Sequence, residues 1–267
     1  MIRLASACAI ALVSLLPLIW MAATSIKPPL EYVSSSIALW PQAPSLEHYR
    51  ALAETGAWRL GLNSVVVALG TVVLALTVSL PAAYAMARMA FPRKLDLIFL
   101  GFVLVIKLCP PIVLAIPLYQ TLRLTGLMDT LAGLILVNQI HALPFAIWML
   151  LGFVRDVPVA FEEAAMIDGA GFLKRMADIV VPLLMPGLIA TGVFVAIMSW
   201  NEFLFALLFV QTPSNFTLPA YIATLITEDD TLWGHLAAIG LLSSLPVLAA
   251  IGLVRRGLLR EVSTDQH

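Results

Sequence analysis

The sequence predicts an all-α membrane protein with six transmembrane helices in one domain over residues 1–267. Three observations predict it. Of the 267 residues, 61% are hydrophobic and only 12% are charged; a soluble domain carries roughly 25% charged residues, so this chain lacks the polar surface to face water on all sides. The mean hydropathy is +0.99, and the apolar residues fall in runs of about 20, the length that crosses hydrocarbon as a helix. Basic residues also cluster in alternate connections, the pattern that sets orientation in a bilayer.

The first apolar run covers residues 4–24. Arg3 ahead of it and the small-residue stretch Met21-Ala22-Ala23-Thr24-Ser25 leave a cleaved signal peptide as the alternative, but the run exceeds the roughly 7–15 residues of a signal core. It is read as a span. A long polar connection over 25–61 follows, with Pro28-Pro29, Trp40-Pro41 and Pro44, and ends in an amphipathic stretch around 46–60. The second and third runs, 62–88 and 95–122, are joined by a short basic segment. A turn over 123–130 leads to the fourth run at 131–153, and a polar, helix-forming connection over 154–182 leads to the fifth at 183–210. The outer connection 211–231 contains Pro213, Pro219 and an acidic Glu228-Asp229-Asp230, and the sixth run covers 232–254.

One side of these spans collects Arg3, Arg88, Arg93, Lys94, Arg155, Lys174, Arg175, Arg255, Arg256 and Arg260; the other holds only Lys27, Arg50, Arg59 and Arg123. The richer side is expected in the cytoplasm, with both termini inside and connections 25–61 and 211–231 outside. The net charge of −1 says nothing about partners, and nothing points to nucleic acid. Cys8 and Cys109 lie in apolar runs without metal-ligand spacing and read as small buried hydrophobes, so no metal site is expected. The chain has no Gly-x-Ser-x-Gly, no His-Glu-x-x-His and no Gly-x-x-x-x-Gly-Lys-Ser/Thr, and Gly169-Ala170-Gly171 follows no predicted strand. Catalysis is therefore not expected of this chain.

The connection 154–182 is the most informative stretch. Pro158 suits a first helical turn, and Glu162 and Glu163 lie where a helix dipole favours acids. Gly169 and Gly171 permit a bend between two short helices. Ala164 and Ala165 leave a low ridge for close approach of another protein, with Glu163 and Asp168 placed to pair with basic groups on it. Glu163-Ala164-Ala165, three residues, Gly169, nine residues, Ile179, one residue, then Val181-Pro182 resemble the EAA loop of ABC import permeases, with Val181 where the family has Leu. Resemblance to the carbohydrate-uptake branch, and within it to the smaller permease of maltose-type pairs, extends through Asn63-Ser64, Leu80-Pro81-Ala82-Ala83-Tyr84-Ala85, Pro117-Leu118-Tyr119, Leu143-Pro144-Phe145, Trp200-Asn201-Glu202-Phe203 and Phe216-Thr217-Leu218-Pro219.

That resemblance implies a type I importer fold in a bacterial inner membrane. It also implies a second homologous permease subunit, a dimer of cytoplasmic ATPase subunits that carry the ATP and Mg, and an extracytoplasmic solute-binding protein. No cofactor is implied in this chain. It implies that Glu162, Glu163, Ala164, Ala165, Asp168, Gly169, Ala170, Gly171, Ile179 and Pro182 couple to the ATPase, and that Asn215, Phe216, Thr217, Leu218 and Pro219 contact the binding protein. Uptake of another small polar solute, or a self-contained secondary transporter, are the alternatives; the latter would have no use for an ATPase-docking loop.

Polar groups inside spans are costly and are functional candidates by default. Lys107 either faces a translocation cavity or pairs with a partner's carboxylate. Asn201 and Glu202 either line the solute path or pin helices together. Asn138, Gln139 and His141 form a polar belt in the fourth span; Asn138 and His141 are candidates for the translocation path, although a lone His reads more readily as a packing residue. Tyr119, Trp148 and Trp200 are open to stacking on a sugar ring or to packing. Prolines 110, 111, 117, 144, 186 and 246 free backbone carbonyls and kink helices.

Overall fold

The computed structural model describes residues 2–29, 31, 40–89, 95–226 and 232–264; Arg93, Lys94 and Glu228-Asp229-Asp230 lie outside the described residues. The elements follow the apolar runs in order: α1 (Ile2–Ser25), a short amphipathic α2 (Glu47–Glu54), α3 (Ala57–Arg88), α4 (Leu95–Leu108), α5 (Pro111–Thr125) and α6 (Leu131–Asp156). Then come α7 (Val159–Ile167), α8 (Phe172–Arg175), a π-helical turn over Met176–Val180, α9 (Val181–Trp200), α10 (Leu204–Phe209), α11 (Leu218–Thr224) and α12 (Trp233–Thr264). The described residues are predominantly helical. Among the described residues, three helical stretches are long and apolar enough to cross a membrane: Ala57–Arg88, Leu131–Asp156 and Phe172–Trp200.

Two runs that predict single helices are broken. The run 95–122 divides at Cys109-Pro110, where Pro110 takes an extended ψ of 132° and Pro111 opens α5. Proline supplies no N–H and pushes the preceding residue out of the α region, so α4 stops at Leu108. The run 183–210 divides after Trp200 without any proline. Here Asn201 Nδ2 donates to Ile197 O at 2.8 Å, while the Glu202 carboxylate accepts from Phe205 N at 2.7 Å and Ala206 N at 3.1 Å. Local side-chain bonds to the backbone compete with helix continuation, and one helix ends as the next begins.

α3, α6 and α9 pack against one another to form the body, and α1 lies against α12. α6 is the most enclosed of the three long helices. Lipid supplies no hydrophobic drive between helices, so small residues that admit close approach decide the packing. At Gly187 in α9 an added Cβ would sit 2.5 Å from Cγ of Phe153 on α6, and at Gly70 in α3 one would sit 2.5 Å from Ile135 Cδ1. One buried cluster joins Tyr84, Leu150, Val154, Val180 and Leu184 near the 154–182 connection. Another joins Leu52, Leu60, Trp200, Leu218 and Ile239 at the opposite end. Outward faces carry exposed Leu69, Val73, Ile116, Trp148, Ile189 and Phe194, an apolar exterior suited to hydrocarbon or another membrane subunit.

Candidate functional site

The 154–182 connection leaves α6 through an extended Val157, ahead of Pro158, and enters α7. α7 closes in a Schellman motif: Ala170 N–H donates to Ala165 O at 2.9 Å and Gly169 N–H to Met166 O at 3.1 Å, with Gly169 at φ +80°. That left-handed position is why a glycine stands there. Gly171 is at φ −66°, which any residue adopts, so the bend rests on Gly169 rather than on both glycines. Ile179 is half-buried in the π-helical turn, and Pro182 is exposed at the start of α9.

The acidic residues of this loop divide into two roles. Glu163, Ala164 and Asp168 are exposed and Ala165 is buried. Around them stands an apolar ridge of Phe161, Met166, Phe172, Ile167 (87% exposed) and Leu173 (80% exposed). Glu162, grouped with its neighbour in the sequence reading, turns the other way and is only 3% exposed. Its Oε2 accepts from Tyr84 Oη at 2.5 Å and its Oε1 from Arg88 Nε at 2.7 Å. Arg88 Nη2 also donates to Val157 O at 2.7 Å. Arg175 Nε stands 3.7 Å from Glu162 Oε2, and its guanidinium lies 5.8 Å from the Phe172 ring centroid. Sequence reasoning used Tyr84 only as part of a motif and Arg88 only as an orientation marker. Their spacing of four residues, which places both on one face of α3, was the available signal.

The outer connection is held by different groups. Asn63 Nδ2 donates to both Ser214 O and Phe216 O at 2.9 Å, and Ser64 Oγ accepts from Leu218 N at 2.9 Å. Asp129 accepts from Gln211 N at 2.9 Å and Thr212 N at 3.0 Å, and from the Thr212 hydroxyl. Asn215 Nδ2 donates to Asp129 O at 2.7 Å. Desolvation raises the Asp129 pKa, but the hydrogen bonds from Thr212, Gln211 and Asn215 outweigh it and hold the carboxyl below its ordinary value. Of the residues expected to face a binding protein, Thr217 and Leu218 are buried and Asn215, Phe216 and Pro219 are half-buried; Gln211, Thr212 and Pro213 are exposed.

Three of the predicted path residues come together. Asn138, His141 and Glu202 line a cavity of ≈ 170 Å³ with Thr71, Met198 and Ser199. Asn138 Nδ2 donates to Ser199 Oγ at 2.9 Å, which donates on to Thr71 Oγ1 at 3.2 Å, tying α6, α9 and α3. Asn201 is exposed at the helix break, outside this group. Lys107 lies in α4, and its side chain is outside the described residues. Trp200 is buried and donates Nε1–H to Ser243 O at 3.0 Å; it packs α9 on α12. Tyr119 and Trp148 are exposed.

Loop 154–182 thus stands at one end of a body whose long apolar helices can cross a membrane. The family model for binding-protein-dependent transport system inner membrane components matches residues 79–260, and the chain belongs to that family. It is 34% identical over 260 residues to the inner membrane ABC transporter permease protein YcjP of Escherichia coli (strain K12), covering 95% of this chain and 92% of that protein. It is also 34% identical over 246 residues to the trehalose transport system permease protein SugB of Mycobacterium tuberculosis, covering 91% of this chain and 88% of that protein. Its fold resembles that of a bacterial ABC transporter involved in import of the acidic polysaccharide alginate. That likeness has a TM-score of 0.80 at 22% identity, over 96% of this chain and 94% of the other.

Proposed function

We propose that this chain is one of two permease subunits in an ATP-driven carbohydrate importer, crossing the membrane six times with both termini cytoplasmic. Loop 154–182 seats on a cytoplasmic ATPase subunit, and a binding protein delivers solute at the 211–226 side. The exposed ridge of Phe161, Met166, Ile167, Phe172 and Leu173, on a loop anchored by a buried ion pair, carries the docking reading. Exposed apolar side chains rimmed by charge mark a protein contact, and Glu163 and Asp168 supply that rim. Similarity to a permease named for trehalose transport supports a sugar over another polar solute.

The importer works by changing which side of the membrane its path opens to. ATP-bound closure of the ATPase pair moves the docked loop, the spans turn the path outward to receive solute, and hydrolysis returns them. This chain supplies part of the path wall and the docking surface; nucleotide chemistry belongs to the ATPase. The test is reconstitution of the complete complex with its binding protein, followed by ATP-dependent uptake of a panel of neutral sugars, acidic sugars and amino acids. Uptake confined to sugars is expected. Uptake of amino acids alone would overturn the carbohydrate reading, and uptake driven by a proton or sodium gradient without ATP would overturn the importer reading. Reporters fused after Arg260 and within the 25–61 connection are expected to be active in the cytoplasm and outside, respectively.

A further inference from the structure

The docking helix α7 is joined by peptide bonds to α6 and α8, yet its strongest attachment is to neither. On one side stands the extended Val157-Pro158, on the other the left-handed Gly169 and then the π-helical turn Met176–Val180. Such π turns are rare and recur at functional sites. Between Glu162 of α7 and Arg175 beyond the bend the separation is 3.7 Å, too long for a hydrogen bond. Between α7 and α3 the bonds are short: 2.5 Å from Tyr84, 2.7 Å from Arg88 to Glu162, and 2.7 Å from Arg88 to Val157 O.

One bond would be a pivot. Here Arg88 grips the entry to α7 and its side-chain carboxylate at once, while Tyr84, one helical turn away, grips the second carboxylate oxygen. These contacts fix orientation as well as distance. The carboxylate is 3% exposed and lies beside the buried cluster of Leu150, Val154 and Val180, so releasing it would strand charge in an apolar surround.

We infer that Tyr84, Arg88 and Glu162 form the mechanical link of this permease. They make α7 and the adjoining end of α3 move as one body, so displacement of the docked loop is delivered first to α3. This rests on the docking reading above and adds to it a specific route.

The test uses the complete transporter in proteoliposomes, with Cys8→Ser and Cys109→Ser as the parent background. Arg88→Cys/Glu162→Cys should leave the ATPase subunit bound and hydrolysing while uptake per ATP falls at least tenfold. A short bis-maleimide bridging the two thiols should restore uptake to at least half the parent's in proportion to the bridged fraction, because a covalent tie replaces the ionic one. Undiminished uptake without the bridge overturns the link, as does a bridge that restores nothing. Loss of the bound ATPase in the unbridged double variant also counts against it, since it would make the cluster part of docking itself. If the double variant fails to accumulate, Tyr84→Phe decides. It keeps the packing and removes one bond, and it should lower uptake per ATP at least threefold with ATPase binding unchanged; uptake per ATP equal to the parent's overturns the inference.

Discussion

α3 holds a loop at each end, and the two ends use different chemistry. At one end Tyr84 and Arg88 grip a carboxylate and a carbonyl of the 157–162 segment through a buried ion pair. At the other, Asn63 and Ser64 satisfy backbone groups of Ser214, Phe216 and Leu218 with neutral hydrogen bonds, and Asp129 anchors Gln211 and Thr212 from a neighbouring turn. Neutral bonds to backbone settle the accounting of buried donors and acceptors and hold a shape. A buried ion pair fixes two bodies together but collapses if either charge is lost, since the survivor stays buried. The loop proposed to transmit motion is thus the one held by a buried ion pair.

The difference is breakable at its strongest point first. Glu162→Ala leaves Arg88 and Arg175 without their carboxylate and should cost about 3–5 kcal/mol. The check is a lowered unfolding midpoint in detergent, with new protease sensitivity confined to the 157–175 segment; an unchanged midpoint would mean the pair holds nothing. Asn63→Leu strips two part-buried carbonyls of one donor each and should cost about 1–3 kcal/mol, with protection lost around residues 214–218 in hydrogen exchange. Ser64→Ala removes a single acceptor and should cost about 1 kcal/mol, read by the same exchange experiment. If Ser64→Ala proves costlier than Glu162→Ala, the contrast between the ends is reversed.

The smallest effect is a pH dependence at Asp129. Its carboxyl is held below the ordinary value, so its contribution is fully present above the unfolded-state value of about 3.9 and is lost as pH falls through the lowered folded-state value. Protection factors over residues 209–215, taken against the intrinsic exchange rate at each pH, should be the same at pH 7 and pH 5 and should fall only in stronger acid. Asp129→Asn should abolish that acid step. A transition between pH 5 and pH 7 would place the controlling group elsewhere.

Much of the helical layout was legible because hydrocarbon-length apolar runs and the Pro110-Pro111 pair report themselves directly. The break at Asn201–Phe203 was not. Apolar residues flank it on both sides, and the cause is side-chain competition for backbone groups by Asn201 and Glu202. The division between Glu162 and Glu163 was equally hidden, because Glu162's partners lie 74 and 78 positions away in the chain. Adjacent acids on a short helix point in different directions, and only the position of α3 decides which one is buried. Asn63-Ser64 stood out as a motif, but its purpose emerges only where α3 meets the 214–218 backbone. Asn138 and His141 of the belt, and Glu202, were identifiable as costly intramembrane polar groups; their convergence on one cavity depends on the packing of α6 against α9.

The docking claim rests on side chains that face outward and touch little of this chain, so it can be tested without disturbing the fold. Ile167→Asp and Leu173→Asp alter positions that are 87% and 80% exposed, and neither should change the unfolding midpoint of the permease alone. Co-purification of the ATPase subunit with a tagged permease measures the claim directly. At least a tenfold loss of bound ATPase is expected for each variant, with expression and membrane insertion unchanged. Retention of the full complement of ATPase by both variants would contradict it.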